Sequence, residues 1–265
     1  MPDTRYTHGH HESVLRSHRW RTAANSAAYL LPRLRPGLSL LDVGCGPGTI
    51  TADLAERVAP GLAVGLDAAP GILEEARSTA AGRAGLTFLA GDVFCLPFGD
   101  DTFDVVHAHQ VLQHLRRPVE ALAEMRRVCR PDGVVAVRDS DYPQMAWFPA
   151  DVVLTQAFAA YGEATQQNQA NWDAGRRLLS WAQAAGFSEV SPSASVWCFA
   201  TPEARAWWGG LWADRFRHSA LAEQLLQSGV ADRPALDEFG AAFDRWAAAP
   251  DGWFTVVHGE VLARP

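Results

Sequence analysis

The segment around residue 44 constrains the fold of this chain more than any other. A short apolar run from Leu38 to Val43 passes directly into the loop Gly44-Cys45-Gly46-Pro47-Gly48, and a helix-forming segment then continues to Val58. A strand that turns through glycines into a helix leaves backbone amides open at the start of that helix, where an anionic or polar group can approach the main chain. The pattern predicts an α/β fold with a ligand site at this turn.

Short apolar runs and helix-forming segments alternate from this loop to about residue 140. Runs that are apolar throughout are typical of parallel strands covered by helices on both faces. We therefore expect a doubly wound parallel sheet with right-handed crossovers. The sequence predicts a first helix at 12–34, strands at 38–43, 62–66, 86–89, 103–108 and 134–137, and helices up to residue 58, at 70–81 and at 118–130.

The spacing of the glycines separates the nucleotide-binding classes. A dinucleotide-binding loop needs G-x-G-x-x-G, but the sixth position counted from Gly44 is Thr49. A P-loop needs a Gly-Lys pair, and all 23 basic side chains of this chain are arginines. What remains is G-x-G-x-G shortly after the acidic residue Asp42.

This loop and the segments after it resemble class I S-adenosylmethionine-dependent methyltransferases, most closely the group typified by ubiquinone and menaquinone biosynthesis. Asp67 ends the second predicted strand, Gly91-Asp92-Val93 follows the third, and Val111-Leu112-Gln113-His114-Leu115 follows the fourth. The resemblance covers about 37–140. It implies a Rossmann-like, seven-stranded sheet whose last strand, here 253–262, is antiparallel, and a helical cap over the carboxyl-end face. It also implies S-adenosylmethionine as the cofactor and S-adenosylhomocysteine as the product.

The resemblance assigns roles to the residues at the matching positions. The glycine loop would wrap the methionine end of the cofactor, Asp67 would bind the ribose hydroxyls, Ile72 would pack on the adenine, and Asp92 would meet the adenine amino group. The cofactor-binding residues expected on this basis are Tyr6, Asp42, Gly44, Cys45, Gly46, Gly48, Thr49, Asp67, Ala68, Ile72, Asp92, Val93, His109, Gln110 and His114.

The beginning of the chain, from Tyr6 to Glu12, contains a Tyr-x-His-Gly-His-His pattern. Similar starts occur in bacterial and fungal small-molecule methyltransferases, and the resemblance implies a lid over the cofactor, with Tyr6 and His10 or His11 facing it. We expect no metal site, because no ligand pattern such as H-E-x-x-H accompanies these histidines. Arg19 and Arg21 either pair with the carboxylate of the cofactor or lie on a solvated helix face.

The whole chain, 1–265, is expected to form a single methyltransferase domain. Beyond Asp139 the sequence predicts helices at 150–170 and 175–185, a strand near 189–199, and a long helical region at 202–248. The division expected is an N-terminal helical lid at 1–36, a cofactor-binding core at 37–140, a helical cap at 141–187 and 201–250, and final strands at 188–200 and 251–265.

Methyl transfer needs alignment and exclusion of water, and a general base only when the acceptor loses a proton. Doubly wound sheets place their sites at the carboxyl ends of the strands. The candidate bases are therefore His109, His114 and Asp141, although His114 is also explained by helix packing and Asp141 by a solvated loop. His107 is expected in the core. Residues expected to contact the substrate are His10, Asp141, Tyr142, Trp147 and Trp208.

Aromatic side chains are concentrated in the second half of the chain. Seven of the ten tryptophans lie between Trp172 and Trp246. They either cover the sheet, line a site for a flat or apolar acceptor, or form an oligomer interface. The apolar cluster of Met145, Trp147 and Phe148 is likewise either a substrate wall or core against which helices dock.

Composition narrows the class of protein. A hydrophobic fraction of 48% is too high for a disordered chain, and no run approaches the roughly 20 apolar residues of a membrane span. The net charge of -7 argues against nucleic-acid binding and suits a neutral or cationic small molecule. Four scattered cysteines and the lack of an export signal predict reduced thiols in the cytoplasm. A monomer or a homodimer is expected.

Three functions remain open on the sequence. The first is methylation of a small, possibly aromatic or apolar, organic acceptor in specialised or quinone-type metabolism. The second is methylation of nucleic acid, against which the charge and the absence of an Asn/Asp-Pro-Pro-Tyr/Phe tetrapeptide after the fourth strand argue. The third is a cofactor-binding regulator or a catalyst that transfers no methyl group.

Overall fold

A computed structural model describes the backbone of residues 12–265 and the side chains of residues 16–265. The roles expected for Tyr6, His8, His10 and His11 lie outside the described residues. The strands are β1 (Leu40–Val43), β2 (Ala63–Asp67), β3 (Leu86–Ala90), β4 (Phe103–His109), β5 (Cys129–Ser140), β6 (Ala146–Phe148), β7 (Glu189–Phe199) and β8 (Trp253–Arg264). The helices are α1 (Glu12–Arg19), α2 (Ala23–Ser26), α3 (Thr49–Val58), α4 (Ile72–Thr79), α5 (Pro118–Val128), α6 (Val152–Gln167), α7 (Ala174–Ala184), α8 (Pro202–His218), α9 (Ala220–Ser228) and α10 (Arg233–Ala248).

One sheet of eight strands runs through the described part of the chain. Its order is β3-β2-β1-β4-β5-β8-β6, and β7 pairs with the other edge of β8. Strands β1 to β5 are parallel, and β8 is antiparallel to its neighbours. The α/β, doubly wound fold class is confirmed, with one strand more than expected. The additional strand is β6, which lies beside the start of β8 through the pair Trp147 and Phe254.

Helices cover both faces of the parallel strands, as their uniformly apolar sequences predict. All four residues of β1 are buried. On one face, Leu54 and Val58 of α3 pack with Leu40 of β1. On the other face, Leu122 of α5 packs in a cluster with Leu41 of β1. Burial of a leucine side chain of this kind contributes roughly 2 kcal/mol.

The segment before β1 is not the single helix that was expected at 12–34. Helix α1 ends at Arg19, and α2 begins again at Ala23. The break is fixed by Thr22, whose hydroxyl accepts the amide hydrogen of Asn25 while the Asn25 side chain accepts that of Thr22. Such a capping box satisfies amides that a continuous helix would have paired internally. The chain therefore changes direction at Trp20 and Arg21.

Two further boundaries differ from the sequence prediction. The segment 131–133, which the sequence places between the helix at 118–130 and the strand at 134–137, lies inside β5, opposite a register shift between Phe103 and Val105 of β4. The long helical region at 202–248 is divided into three helices, because Ser219 and Asp232 each accept a main-chain amide hydrogen and so begin α9 and α10.

Helices α6, α8 and α10 pack around an aromatic core that includes Trp212 and Phe243, whose rings stack at 5.8 Å.

Candidate functional site

A cavity of about 910 Å³ lies at the carboxyl ends of the parallel strands. Its walls come from the β1–α3 loop, from the residues that follow β2, β3 and β4, from α1 and the turn after it, and from β7, α8 and β8. This is the edge at which doubly wound sheets bind their ligands, and the volume lies within the range of small-molecule sites.

The loop between β1 and α3 brings its main chain to the cavity wall. Gly44 and Gly48 have φ angles of 68° and 77°, which side-chain-bearing residues rarely adopt. A Cβ atom at Gly44 would overlap the side chain of Val111, and one at Gly48 would lie 2.8 Å from the ring of Phe88. The loop can follow this path only with glycine at these positions. Gly48 is the N-cap of α3 and does not itself line the cavity.

Asp67, at the end of β2, ties the loop to the sheet. One carboxylate oxygen accepts the amide hydrogen of Gly46, and the other accepts that of Ala69, each at 2.9 Å. Because each carboxylate oxygen has two lone pairs, both keep the capacity to accept a ligand hydroxyl. The expected ribose-binding role therefore fits the geometry of this half-buried side chain.

Asp42, near the end of β1, connects this strand to α3 and to β4. Its buried carboxylate accepts the hydroxyl hydrogen of Thr51 and lies 2.7 Å from Nδ1 of His107. His107 is fully buried, which agrees with its expected place in the core. The other residues expected to bind the cofactor on this side line the cavity, namely Cys45, Gly46, Thr49, Ala68, Ile72, Asp92 and Val93.

His109 and Gln110 lie at the end of β4 and line the cavity. The ring of His109 is 5% exposed, and neither of its nitrogens has a hydrogen-bond partner among the described residues. Burial, and then the positive charge of Arg21, hold the pKa of His109 well below its usual range. Its imidazole is therefore uncharged at neutral pH.

Gln110 joins four parts of the chain. Its amide oxygen accepts a hydrogen from Arg21, and its amide nitrogen lies 2.6 Å from the hydroxyl of Ser140 and 3.0 Å from Nε2 of His258. Its φ of 54° places a non-glycine residue in the left-handed region, which turns the side chain back toward β5 and β8.

His114 lies in a short 3-10 helix, Leu112–His114, and also lines the cavity. Its Nε2 atom is 3.1 Å from the side-chain amide of Gln113, and burial lowers its pKa to about 3. Asp139 fastens the same turn, because its carboxylate accepts the amide hydrogen of Gln113 at 3.1 Å. Burial raises the pKa of Asp139 to about 7.

Two residues that were expected to contact the substrate lie away from the cavity. Asp141 does not line the cavity, because both of its oxygens accept hydrogens from Arg176 at 2.6 Å in a bidentate ion pair. Trp147 does not line it either, because its ring stacks against Phe158 and Phe254 in the cap core. Of the cluster that was expected around residue 147, Met145 alone reaches the cavity.

Tyr142 and Trp208 do line the cavity, as expected. Arg21 lines it as well, whereas Arg19 is exposed and pairs with Glu75 at 2.6 Å. Other lining residues were missed from the sequence, because strand ends and helix faces distant along the chain supply them. They include Ser17, His18, Trp20, Gln113, Leu115, Arg117, Ser140, Arg215 and Val256.

A family model described as a methyltransferase domain matches residues 34–186. The chain belongs to this methyltransferase family. An uncharacterised methyltransferase of Schizosaccharomyces pombe is 32% identical over 270 residues, which cover 97% of this chain and 95% of the relative. A demethylmenaquinone methyltransferase of Renibacterium salmoninarum is 30% identical over 192 residues, which cover 68% and 77%. The solved structure of the YcgJ protein of Bacillus subtilis shares the fold, with a TM-score of 0.58, 19% identity and coverage of 89% and 97%.

The methyltransferase is a class I enzyme that uses S-adenosylmethionine, as its motifs predicted. The site fits that cofactor, because the main chain at Gly44, where there is no room for a Cβ atom, lines the same cavity as the carboxylates of Asp67 and Asp92.

Within residues 16–265, no group of three or more His, Cys, Asp or Glu side chains is placed to hold a metal ion. The helices in the described part of the chain all lack the length and apolar character needed to cross a membrane.

Proposed function

We propose that the methyltransferase methylates a small organic acceptor with an aromatic or apolar body. The observation that carries this proposal is one continuous cavity that extends from the glycine loop to a wall of aromatic side chains. A cofactor bound at one end and an acceptor bound at the other would share this cavity. Two small molecules held in one cavity can be aligned for direct transfer.

The cofactor end is built from the residues that end β1 and β2 and follow β3. Gly44 and Gly46 would present their main chain to the amino-acid part of S-adenosylmethionine, Asp67 would bind the ribose hydroxyls, and Asp92 would bind the adenine amino group. When bound, S-adenosylmethionine supplies a methyl group on a positively charged sulfur, which passes to the acceptor by in-line displacement. The protein's contribution is to align the acceptor and to exclude water.

The acceptor end excludes water with large side chains. Trp20, Trp197 and Trp208 lie in this wall, and the rings of Trp20 and Trp197 meet edge to face at 5.1 Å. Apolar walls also strengthen the hydrogen bonds of the few polar groups between them. Tyr142 and His109 are two such groups on the same cavity.

We propose His109 as the general base when the acceptor loses a proton. Its ring is uncharged, lies on the cavity and has no hydrogen-bond partner among the described residues. An imidazole in this state can take a proton at one ring nitrogen while the other donates. His114 has a neighbour in Gln113 and Asp141 is paired with Arg176, so neither competes equally for this role.

We further propose that the reaction belongs to specialised or quinone-type metabolism in the cytoplasm and that the protein is a monomer or a homodimer. Phe148 and Trp253 support the homodimer, because these paired residues of β6 and β8 are 54% and 42% exposed.

The division of the chain into a lid at 1–36, a core at 37–140, cap segments and final strands stays a prediction. Ser17, His18 and Arg21 support the lid, since they line the cavity.

The test is formation of S-adenosylhomocysteine by the full chain with a panel of hydroxylated, amino and carboxylated aromatic compounds. Turnover with a panel member is expected, and Gly46→Arg should abolish both turnover and cofactor binding. Gly82→Arg is the matched control, because both glycines have a positive φ and both positions have room for a Cβ atom. An added Cβ would lie 3.8 Å from Nδ1 of His18 at Gly46, and it would have no neighbour within 4 Å at Gly82. Cofactor binding in calorimetry without turnover on any panel member would favour a regulator or a catalyst that transfers no methyl group. Methylation of an RNA or DNA oligonucleotide instead would contradict the small-molecule proposal.

A further inference from the structure

An aromatic ring and a guanidinium group meet on the side of the cavity that lies next to the end of β3. Phe94 and Arg117 both line the cavity, and the sequence gave no reason to expect either of them there. The guanidinium carbon of Arg117 lies 4.5 Å from the centre of the Phe94 ring, which is the distance of a cation–π contact. The two side chains together form one surface, the Phe94–Arg117 wall.

Asp92 lies two residues before Phe94 and lines the same cavity. The main-chain amide of Phe94 donates to one carboxylate oxygen of Asp92 at 2.9 Å, and the amide of Cys95 donates to the Asp92 carbonyl oxygen at 3.1 Å. This turn fixes the carboxylate relative to the wall. Because Asp92 is exposed, a hydrogen bond between its carboxylate and a ligand would compete with water. A flat group that covers the bond would strengthen it.

The loop that carries Phe94 is fastened to helix α5. The amide of Leu96 donates to the carboxylate of Glu124 at 2.9 Å, and Arg127 donates to the carbonyl oxygens of Leu96 and Phe98 at 3.2 Å and 2.9 Å. Glu124 and Arg127 pair with each other at 2.6 Å. A loop that is held in this way keeps the position of the Phe94 ring, so little conformational freedom is lost when a ligand binds against it.

Arg117 is held from the side of α5. It is the N-cap residue of this helix, and its guanidinium pairs with Glu120 in the first turn at 2.6 Å. The ion pair balances the charge of Arg117 and orients its side chain. A guanidinium that binds a carboxylate through its N–H groups can still stack on an aromatic ring with its flat face. The wall therefore binds through its flat surface and does not depend on an unbalanced charge.

The chemistry of the wall and of Asp92 suits a flat heteroaromatic ring that carries an amino group. Aromatic rings and guanidinium groups contact the face of such a ring. A carboxylate beside them accepts a hydrogen from the amino group, since each carboxylate oxygen has more than one acceptor position. An adenine ring has both the flat face and the amino group. Ile72, which also lines the cavity, offers a further apolar contact to the same ring.

We propose that the Phe94–Arg117 wall binds the adenine ring of S-adenosylmethionine and covers the hydrogen bond between the adenine amino group and Asp92. This inference rests on the adenine site proposed at Asp92 and adds two residues to it. Phe94 and Arg117 are specificity-determining residues for the cofactor, because they distinguish a ligand that carries the base from one that lacks it.

The experiment measures the Kd of the full chain for two ligands, S-adenosylhomocysteine by calorimetry and S-ribosylhomocysteine, which lacks the base, by displacement of the first. The ratio of the two Kd values is the advantage that the base provides. Phe94→Ala should lower this advantage about tenfold and leave the Kd for S-ribosylhomocysteine within about twofold of the wild type. Phe94→Leu keeps apolar bulk in the core and should lower it about fivefold. Arg117→Gln should lower it about threefold.

Two matched controls should leave the advantage of the base unchanged. Phe98 lies on the same loop and packs against the same hydrophobic cluster as Phe94, but it does not line the cavity, so Phe98→Ala is the first control. Arg177→Gln is the second, because Arg177 pairs with Asp173 and is 52% exposed, against 55% for Arg117.

An advantage of the base that stays within twofold of the wild type in both Phe94 variants would overturn the inference. Equal weakening of both ligands would overturn it as well, because Phe94 would then support only the fold. Circular dichroism identifies an unfolded alanine variant, in which case the leucine variant decides. Failure of the wild-type chain to bind S-adenosylhomocysteine would instead overturn the proposed function.

Discussion

The side-chain amide of Gln110 lies 3.0 Å from Nε2 of His258, which is 148 residues further along the chain. His258 Nδ1 lies 3.1 Å from the carbonyl oxygen of Val256, so it donates there and leaves Nε2 to accept the Gln110 hydrogen. The last strand is in this way joined to the end of β4 beneath the cavity. The pair holds Gln110 in its left-handed conformation, from which it also meets Arg21 and Ser140.

His258→Phe should lower the free energy of unfolding by about 1–3 kcal/mol, because the buried amide hydrogen of Gln110 loses its acceptor. Urea unfolding followed by circular dichroism measures this change. His218→Phe, at an exposed position near the end of α8, is the control and should change stability by less than about 0.5 kcal/mol. Equal effects of the two substitutions would show that the Gln110–His258 pair contributes nothing specific.

Asp67→Asn should raise the Kd for S-adenosylhomocysteine by about 10- to 100-fold. The substitution replaces one of two accepting oxygens with an NH₂ group, which cannot accept the amide hydrogen of Gly46 or Ala69. Isothermal titration calorimetry measures the Kd. Glu74→Gln, an exposed carboxylate on α4, is the matched control and should leave it unchanged. A Kd within twofold of the wild type for Asp67→Asn would remove Asp67 from the cofactor site.

His109→Asn should lower kcat for a proton-losing acceptor by about 10²- to 10⁴-fold, which is the usual contribution of a general base. The Kd for S-adenosylhomocysteine should change by less than about threefold. His114→Asn is the comparison, because His114 lines the same cavity but has Gln113 as a neighbour, and its kcat should fall by less than about tenfold. A larger effect for His114 than for His109 would exchange their roles.

The side of the cavity formed by the glycine loop, Asp67 and Asp92 was predictable from the sequence, because these residues lie at strand ends, where local pattern and chain order decide position. The opposite side of the cavity was not predictable in the same way. Trp197 and Arg215 reach the cavity through the packing of β7 and α8, which no local pattern specifies.

Local chemistry accounts for the misplaced elements of the fold. The apolar periodicity of 12–34 indicates a helix, but it does not reveal that Thr22 and Asn25 cap each other and divide it. The three residues of β6 are too few for an alternating pattern to indicate a strand. Asp141 follows β5, as many substrate-binding acids do in this fold, but Arg176 of α7 holds it away from the cavity.

Asp141→Asn should lower the free energy of unfolding by about 1–2 kcal/mol and leave the Kd for S-adenosylhomocysteine and the KM for the acceptor unchanged. The ion pair is bidentate, but Arg176 is 45% exposed, so solvent screens part of the attraction. Arg176→Gln should cost a similar amount, and the double variant little more, because both remove the same interaction. A rise in KM for Asp141→Asn with unchanged stability would restore Asp141 as a substrate contact.

Asp139 should make the protein less stable as the pH rises from about 4 to about 7. Its pKa is about 7 in the folded protein, where it is buried, and near 3.9 in an unfolded chain. Below about pH 4 the carboxyl is protonated in both states and carries no penalty. Above about pH 7 the folded protein holds a buried charge, and the difference between the two pKa values corresponds to a loss on the order of 4 kcal/mol.

Asp139→Asn removes this titration while it keeps an oxygen that can accept the amide hydrogen of Gln113. The free energy of unfolding of the variant minus that of the wild type should therefore increase between pH 4 and pH 8. Urea unfolding at a series of pH values measures the difference. A flat difference for Asp139→Asn over this range would mean that the Asp139 carboxyl titrates in the folded protein as it does in water.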